Sequence, residues 1–250
     1  MAFLEVRNIQ KSFGQTEVLK GIDLDLEQGE VLVIIGSSGS GKTTLLRSLN
    51  FLELPDAGTM TLDGEVLLDA SDRTLRSDAE VRKNRLHFGL VFQQFNLFPQ
   101  YSVLDNLTLS PRLMAKENAK KAKKNKDFKA HVPTHEELEQ QAMDLLTRVG
   151  LAKKAHSYPC ELSGGQQQRV AIARALCKQP AIILADEPTG NLNFAIGEQV
   201  IRQLIEVSRG KTLIAVTHDE RLAKYFDVTV DMNEMTSGKR DISPAEEEEK

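Results

Sequence analysis

The sequence predicts an α/β fold with a core on a mostly parallel sheet, an N-terminal antiparallel β subdomain, and a helical lobe inserted into the core. Three observations carry the prediction. Apolar and polar residues alternate through the first quarter of the chain, short unbroken apolar runs recur later between helical segments, and residues 95–177 change to helical patterning. In order along the chain, Leu4 and Val6, then Ile22, Leu24 and Leu26 separated by Asp23 and Asp25, keep the period of two expected of strands with one exposed face. Val31-Leu32-Val33-Ile34-Ile35 is an unbroken apolar run of the kind buried on both faces of a parallel sheet. The glycine-rich stretch after it opens a helix bearing Leu45, Leu46 and Leu49, and Asp63-Gly64 marks a hairpin turn. Further strand-sized runs lie at 87–92, 181–185 and 212–217. The clearest helix of the middle region starts at Thr134: Thr134-x-x-Glu137 is a capping box, Leu138, Ala142, Leu145 and Val149 share a face, and Gly150 ends it. The expected organisation is a core of residues 1–92 and 178–241, a helical lobe of 93–177, and a disordered tail of 242–250.

The chain has 250 residues and carries 32 Lys+Arg against 36 Asp+Glu, a net charge of −4. A chain of this length buries roughly 70–75% of the surface its unfolded form exposes, so one domain holds together without disulfides or a structural metal. Its two cysteines, Cys160 and Cys177, show no metal-binding or redox spacing and suit a reducing compartment. No apolar run approaches the ~20 residues that span a bilayer. The first residues lack a basic stretch and an apolar signal core, so no secretion is expected. Mild acidity argues against bulk nucleic-acid binding.

Gly36-Ser37-Ser38-Gly39-Ser40-Gly41-Lys42-Thr43 matches GxxxxGK[ST] in full, between a buried strand and a helix, which is the context a phosphate-binding P-loop requires. Such a loop curls so that backbone N–H groups point at phosphate oxygens, and the following helix adds its positive end. Lys42 is expected to reach the β- and γ-phosphates of ATP and Thr43 to bind Mg²⁺, with Thr44 also in the nucleotide-binding set. The plainer alternative is a flexible Gly/Ser turn. A P-loop metal also needs a carboxylate at the end of a neighbouring strand. Ile182-Ile183-Leu184-Ala185-Asp186-Glu187 supplies one: Asp186 would hold Mg²⁺, and Glu187 would orient and polarise the attacking water, unless the two acids only solvate a strand end.

Leu162-Ser163-Gly164-Gly165-Gln166-Gln167-Gln168-Arg169 resembles the LSGGQ signature of ABC ATPases. The resemblance covers nearly the whole chain, because Phe13, Gln93 after Val91-Phe92, and His218 in Val216-Thr217-His218-Asp219 follow the family's order. Physically, Ser163 is a good N-cap, and Gly164-Gly165 with Gln166 open a helix whose N–H groups make an anion site. The resemblance implies a P-loop NTPase core with an inserted signature lobe, and a head-to-tail homodimer or pseudo-symmetric dimer holding two ATP molecules between P-loop and opposing signature. It implies that Phe13 stacks on adenine, that Gln93 touches Mg²⁺ and the attacking water, and that His218 contacts the γ-phosphate and helps hold Glu187. One position departs from the family pattern: Asn193 stands where an Asp is usual, keeping hydrogen bonding without charge.

Up to about residue 180, notably Phe92-Gln93-Gln94-Phe95-Asn96-Leu97-Phe98-Pro99 and the QQQR of the signature, the chain resembles ATPase subunits of polar amino-acid uptake systems. Asp186-Glu187-Pro188-Thr189-Gly190-Asn191-Leu192 is more similar to the lipoprotein-release, macrolide-export and cell-division branch. The implied function is ATP hydrolysis that powers an ABC transporter, with polar amino-acid uptake as the first reading. The implied site is cytoplasmic, peripheral on the inner face of the cell membrane. The implied partners are permease subunits, received by a groove with Phe95, Leu97, Phe98 and Tyr101, and indirectly an extracytoplasmic substrate-binding protein. A lipoprotein-release or export role is the alternative within transport. A non-transport ABC ATPase and a binding module without turnover are the alternatives outside it. The Lys-rich stretch 116–129 and the acidic 246–249 are expected to be solvated; lipid contact by the former is the sharper alternative, and nucleic acid is not expected as a partner.

Overall fold

The computed structural model describes residues 2–124, 131–235 and 243–244. In chain order the elements are β1 (Leu4–Phe13), β2 (Thr16–Leu26), β3 (Val31–Ile35), α1 (Lys42–Leu49), β4 (Ala57–Leu62), β5 (Glu65–Asp69), α2 (Asp78–Asn84) and β6 (Phe88–Val91). They continue as α3 (Val103–Lys124), α4 (His135–Arg148), α5 (Gly164–Leu176), β7 (Ile182–Asp186), α6 (Phe194–Val207), β8 (Thr212–Val216), β9 (Val228–Asp231), α7 (Met232–Met235) and β10 (Ser243–Pro244). The chain divides into two compact units, Met1–Gln93 with Ala181–Lys250, and Gln94–Pro180.

The first unit holds two sheets. One is antiparallel, in the order β2-β1-β4-β5, and includes the expected hairpin: Asp63 and Gly64 both have positive φ (49° and 79°), the pairing whose twist matches that of the flanking strands. The other runs β10-β9-β3-β8-β7-β6. From β9 to β6 its pairs are parallel and in register, with Val33 opposite Ala215 and Ala215 opposite Ala185. Parallel strands covered on both faces need apolar residues at every position, which is why β7 and β8 are buried along their whole length. Leu45, Leu46 and Leu49 of α1 join Leu32, Ile34, Leu184 and Ile214 in one core, where Phe51 and Phe88 lie with ring centroids 6.1 Å apart. The consequence for chemistry is geometric: the loops after β3, β6, β7 and β8 all leave the same edge of the sheet, where ligands of open α/β sheets bind.

The second unit packs α3, α4 and α5 against one another. Thr134 and Glu137 make both bonds of the expected capping box at the start of α4. Its buried face is Leu138, Ala142, Leu146 and Val149, so one residue of the expected stripe is corrected: Leu145 sits on the flank, half-buried, because steps of four and three from Ala142 reach Leu146 and Val149. Lys116, Lys120, Lys121, Lys123 and Lys124 occupy the exposed last turns of α3; Lys126 and Lys129 lie outside the described residues. Ser243–Pro244, inside the stretch expected to be an unstructured tail, pairs antiparallel with β9, and the rest of that stretch lies outside the described residues. No helix among the described residues is long and apolar enough to cross a membrane.

Candidate functional site

The P-loop leaves β3 at Ile35 and enters α1 at Lys42. Gly36, Gly39 and Gly41 have φ of 148°, 83° and 99°, and a Cβ on Gly36 or Gly41 would press on Ser40 and Met232 or on Val18 and Leu19. The loop thus curls in a way that side chains at these positions would obstruct. Lys42 is buried, and its ammonium donates to the carbonyls of Gly36 (2.7 Å) and Ser37 (2.8 Å), stretched across the mouth of the loop. Gly41 caps α1 without a side chain, so no side-chain acceptor competes for the first N–H groups of the helix, those of Lys42, Thr43 and Thr44. Ser38 and Gly39 are exposed at its rim.

Thr43 Oγ1 donates to Asp186 Oδ1 at 2.8 Å, joining the start of α1 to the last residue of β7. Burial pushes the Asp186 carboxyl above its usual range, against the lowering effects of the Thr43 bond and of Arg47 and Lys42. Two oxygen donors beside a phosphate loop suit Mg²⁺, which binds through one or two carboxylates plus substrate phosphates rather than an all-protein cage. Among the described residues, no group of three or more His, Cys, Asp or Glu side chains could hold a metal ion.

Glu187 turns away from the strand in the left-handed region, φ 45°, with its N–H donating to Val216 O at 3.0 Å. Its Oε2 lies 2.9 Å from His218 Nδ1 and accepts from Thr217 Oγ1 at 3.2 Å. Gln93, exposed after β6, is tied to the same loop: Asn191 Nδ2 donates to Gln93 O at 3.0 Å, and a Cβ on Gly190 would meet Gln93 Nε2 at 2.7 Å. A side chain at 190 would have to displace the Gln93 amide. Phe13 stands at the tip of the β1–β2 hairpin, 48% exposed, with Lys11 Nζ 5.5 Å from its ring centroid; an exposed ring at a hairpin tip is free to stack on a ligand.

Asn193 caps α6, its Oδ1 accepting from Ile196 N at 3.0 Å, a bond that Asp would make equally well. It lines a cleft with Thr189, Phe194, His218 and Arg221. In the second unit, Ser163 and Gln166 form a reciprocal capping box at the start of α5, with Gly164 and Gly165 as its first residues. Also there, Phe98 and Tyr101 are exposed and meet edge to face at 5.8 Å. The Asn106 side chain holds their loop by bonds to Phe98 N, Phe98 O and Tyr101 O, while Phe95 and Leu97 are half-buried.

The first unit therefore gathers the P-loop, Asp186, Glu187, Gln93 and His218 on one sheet edge. Ser163, Gly164, Gly165 and Gln166 form a separate helix start in the second unit. Thr217, Gly190 and Asn191 escaped the sequence-based selection. A hydroxyl directly before a candidate histidine and a glycine three residues before a departing loop position were the available signals.

Residues 19–190 match the sequence model of the ABC transporter family. The chain belongs to the ABC transporter family. It is an ATPase of that family, binding ATP and hydrolysing it. The chain is 46% identical over 227 residues to the L-cystine transport system ATP-binding protein TcyN of Escherichia coli (strain K12), covering 90% of this chain and 83% of that protein. It is 41% identical over 231 residues to the lipoprotein-releasing system ATP-binding protein LolD of Bacteroides fragilis (strain YCH46), covering 92% and 97%. Among solved structures, the dimeric ATP-binding cassette MJ0796 in a post-hydrolysis state with ADP and Pi superposes with a TM-score of 0.71 at 34% identity, covering 91% of this chain and 93% of that one. Similarity to both an amino-acid and a lipoprotein system matches the two branches visible in the sequence.

Proposed function

We propose that this ABC ATPase, one ATPase domain across the chain, powers uptake of polar amino acids as a dimer on a separate membrane permease, bound to the inner face of the membrane and served by an extracytoplasmic substrate-binding protein. The observation that carries the ATPase chemistry is the junction of P-loop and strand ends, where Thr43 meets Asp186 at 2.8 Å and Glu187 follows at once. Similarity to the cystine-transport ATPase supports the substrate class. The exposed Phe98–Tyr101 pair supports a protein partner, because apolar side chains exposed together mark interfaces.

In this reading Phe13 stacks on adenine and the P-loop N–H groups with Lys42 bind the β- and γ-phosphates. Thr43, Asp186 and Gln93 hold Mg²⁺, which when bound neutralises charge on the phosphates. Glu187 orients a water for in-line attack; the water oxygen bonds to the γ-phosphorus as the bond to ADP breaks, and its proton leaves toward the carboxylate. His218 steadies Glu187. Ser163, Gly164, Gly165 and Gln166 offer helix N–H groups to the ATP held by the other copy.

The test is Mg-ATP turnover of the purified chain beside Glu187→Gln, with size-exclusion chromatography in ATP. Turnover should fall by about a hundredfold or more in the variant, which should elute as an ATP-bound dimer. Equal turnover in both proteins would sink the role of Glu187. A lipoprotein-release role is the second reading, favoured by the similarity to LolD and by the Gly190-Asn191 pair. Stimulation of turnover by a co-purified permease with polar amino acids, rather than with a lipoprotein, separates the two.

A further inference from the structure

Thr217 joins β8 to His218, and the mechanism above gives it no task. Its side chain is 3% exposed, and a hydroxyl so buried requires partners. It has both kinds: Thr217 Oγ1 accepts from Asp219 N at 3.1 Å and donates to Glu187 Oε2 at 3.2 Å. The donor is well anchored. Thr217 N donates to Ile34 O at 3.1 Å at the end of the central strand, and Asp219 is itself gripped by Arg221 through Nε (2.8 Å) and Nη2 (2.7 Å). A threonine also has few χ1 choices, so its hydroxyl keeps its direction.

His218 Nδ1 approaches the same carboxylate oxygen at 2.9 Å, from a side chain that is 60% exposed. Both groups thus address Oε2, and among the described residues no hydrogen-bond donor reaches Oε1. The last torsion of a glutamate side chain is broad and close to two-fold, so one mobile partner leaves the two oxygens free to exchange. A second donor fixed to the sheet removes that freedom. We propose that Thr217 is a positioning residue for hydrolysis: its hydroxyl commits Glu187 Oε2 to the protein and thereby presents Oε1 to the attacking water. This rests on the reading of Glu187 as the water-orienting group.

The test compares Thr217→Val, which keeps the shape and loses the hydroxyl, with Thr217→Ser, which keeps the hydroxyl, and with Glu187→Gln, all in the full chain with Mg-ATP. Loss of a hydrogen bond to a charged group should lower kcat of the valine variant by about tenfold or more at unchanged KM, while the serine variant stays within about threefold of the parent. Thermal melting checks that the valine variant is folded; if it is not, Thr217→Ala carries the same comparison. If Glu187→Gln is inactive while the valine variant turns over like the parent, the positioning role is overturned and Glu187 keeps its own. If the serine variant falls as far as the valine variant, the hydroxyl is not the acting group and the proposal fails. If Glu187→Gln turns over like the parent, both readings fall together.

Discussion

At the scale of single residues, the site keeps a carboxyl in a place that disfavours its charge. Burial raises the Asp186 carboxyl above its ordinary value, so the native protein binds that proton more tightly than the unfolded chain does. The sign follows: the stability this group contributes is fully present below the unfolded value of about 3.9 and is lost as pH rises through the higher native one. Without Mg²⁺, Asp186→Asn should therefore raise Tm at pH 7 by about 2–4 °C, with the gain shrinking toward pH 4, because the amide still accepts from Thr43 without being charged. Calorimetry across pH checks it; a variant less stable at pH 7 would contradict it. The cysteines differ in the same physical terms. Burial pushes the Cys177 thiol up to about 11, whereas Cys160 is exposed. Alkylation at pH 8 should label Cys160 and leave Cys177 slower by about a hundredfold or more, as peptide mapping would show.

At the scale of elements, caps written into neighbouring residues were legible and contacts across long loops were not. Thr134 with Glu137, Ser163 opening α5, and Asp63-Gly64 are local devices, complete within four residues, and the structure contains each. The strand–loop–helix around Lys42 was legible for the same reason. The Thr43–Asp186 bond spans 143 positions, the Asn191–Gln93 bond 98, and the Thr217–Glu187 bond 30. For the first, the sequence suggested the two partners but not their bond, because a phosphate loop's metal demands a strand-end carboxylate. The other two depend on how β6, β7 and β8 lie side by side, which no local pattern encodes. Strand β9 is half-buried throughout and only four residues long, too weak a pattern to be read. Asn193 belongs to this scale as well. Since its side chain caps α6, Asn193→Ala should cost about 1 kcal/mol of stability and Asn193→Asp less than about 0.5, measured by urea unfolding.

At the scale of the whole molecule, nucleotide and fold support each other. A ligand bound only by the native state stabilises it by about 2.7 kcal/mol at a hundredfold excess over its Kd. Mg-ATP at that level should raise Tm of Glu187→Gln by about 5–10 °C, and the rise should grow with protein concentration if the bound form is a dimer. A concentration-independent shift would point to nucleotide held by single copies.

The strand order has a consequence for how the protein is made. Among the described residues, β3, which carries the P-loop, pairs with β8 on one side and β9 on the other and with no other strand, and both follow it by most of the chain. At about 5–20 residues per second, synthesis from Ile35 to Thr212 takes roughly 10–35 s. Throughout that interval the emerging phosphate loop hangs from a strand with no neighbours, so a nascent or prematurely terminated chain has no sheet edge on which to assemble a nucleotide site. Competence to bind ATP arrives late in translation, and a copy cut short before β8 lacks it.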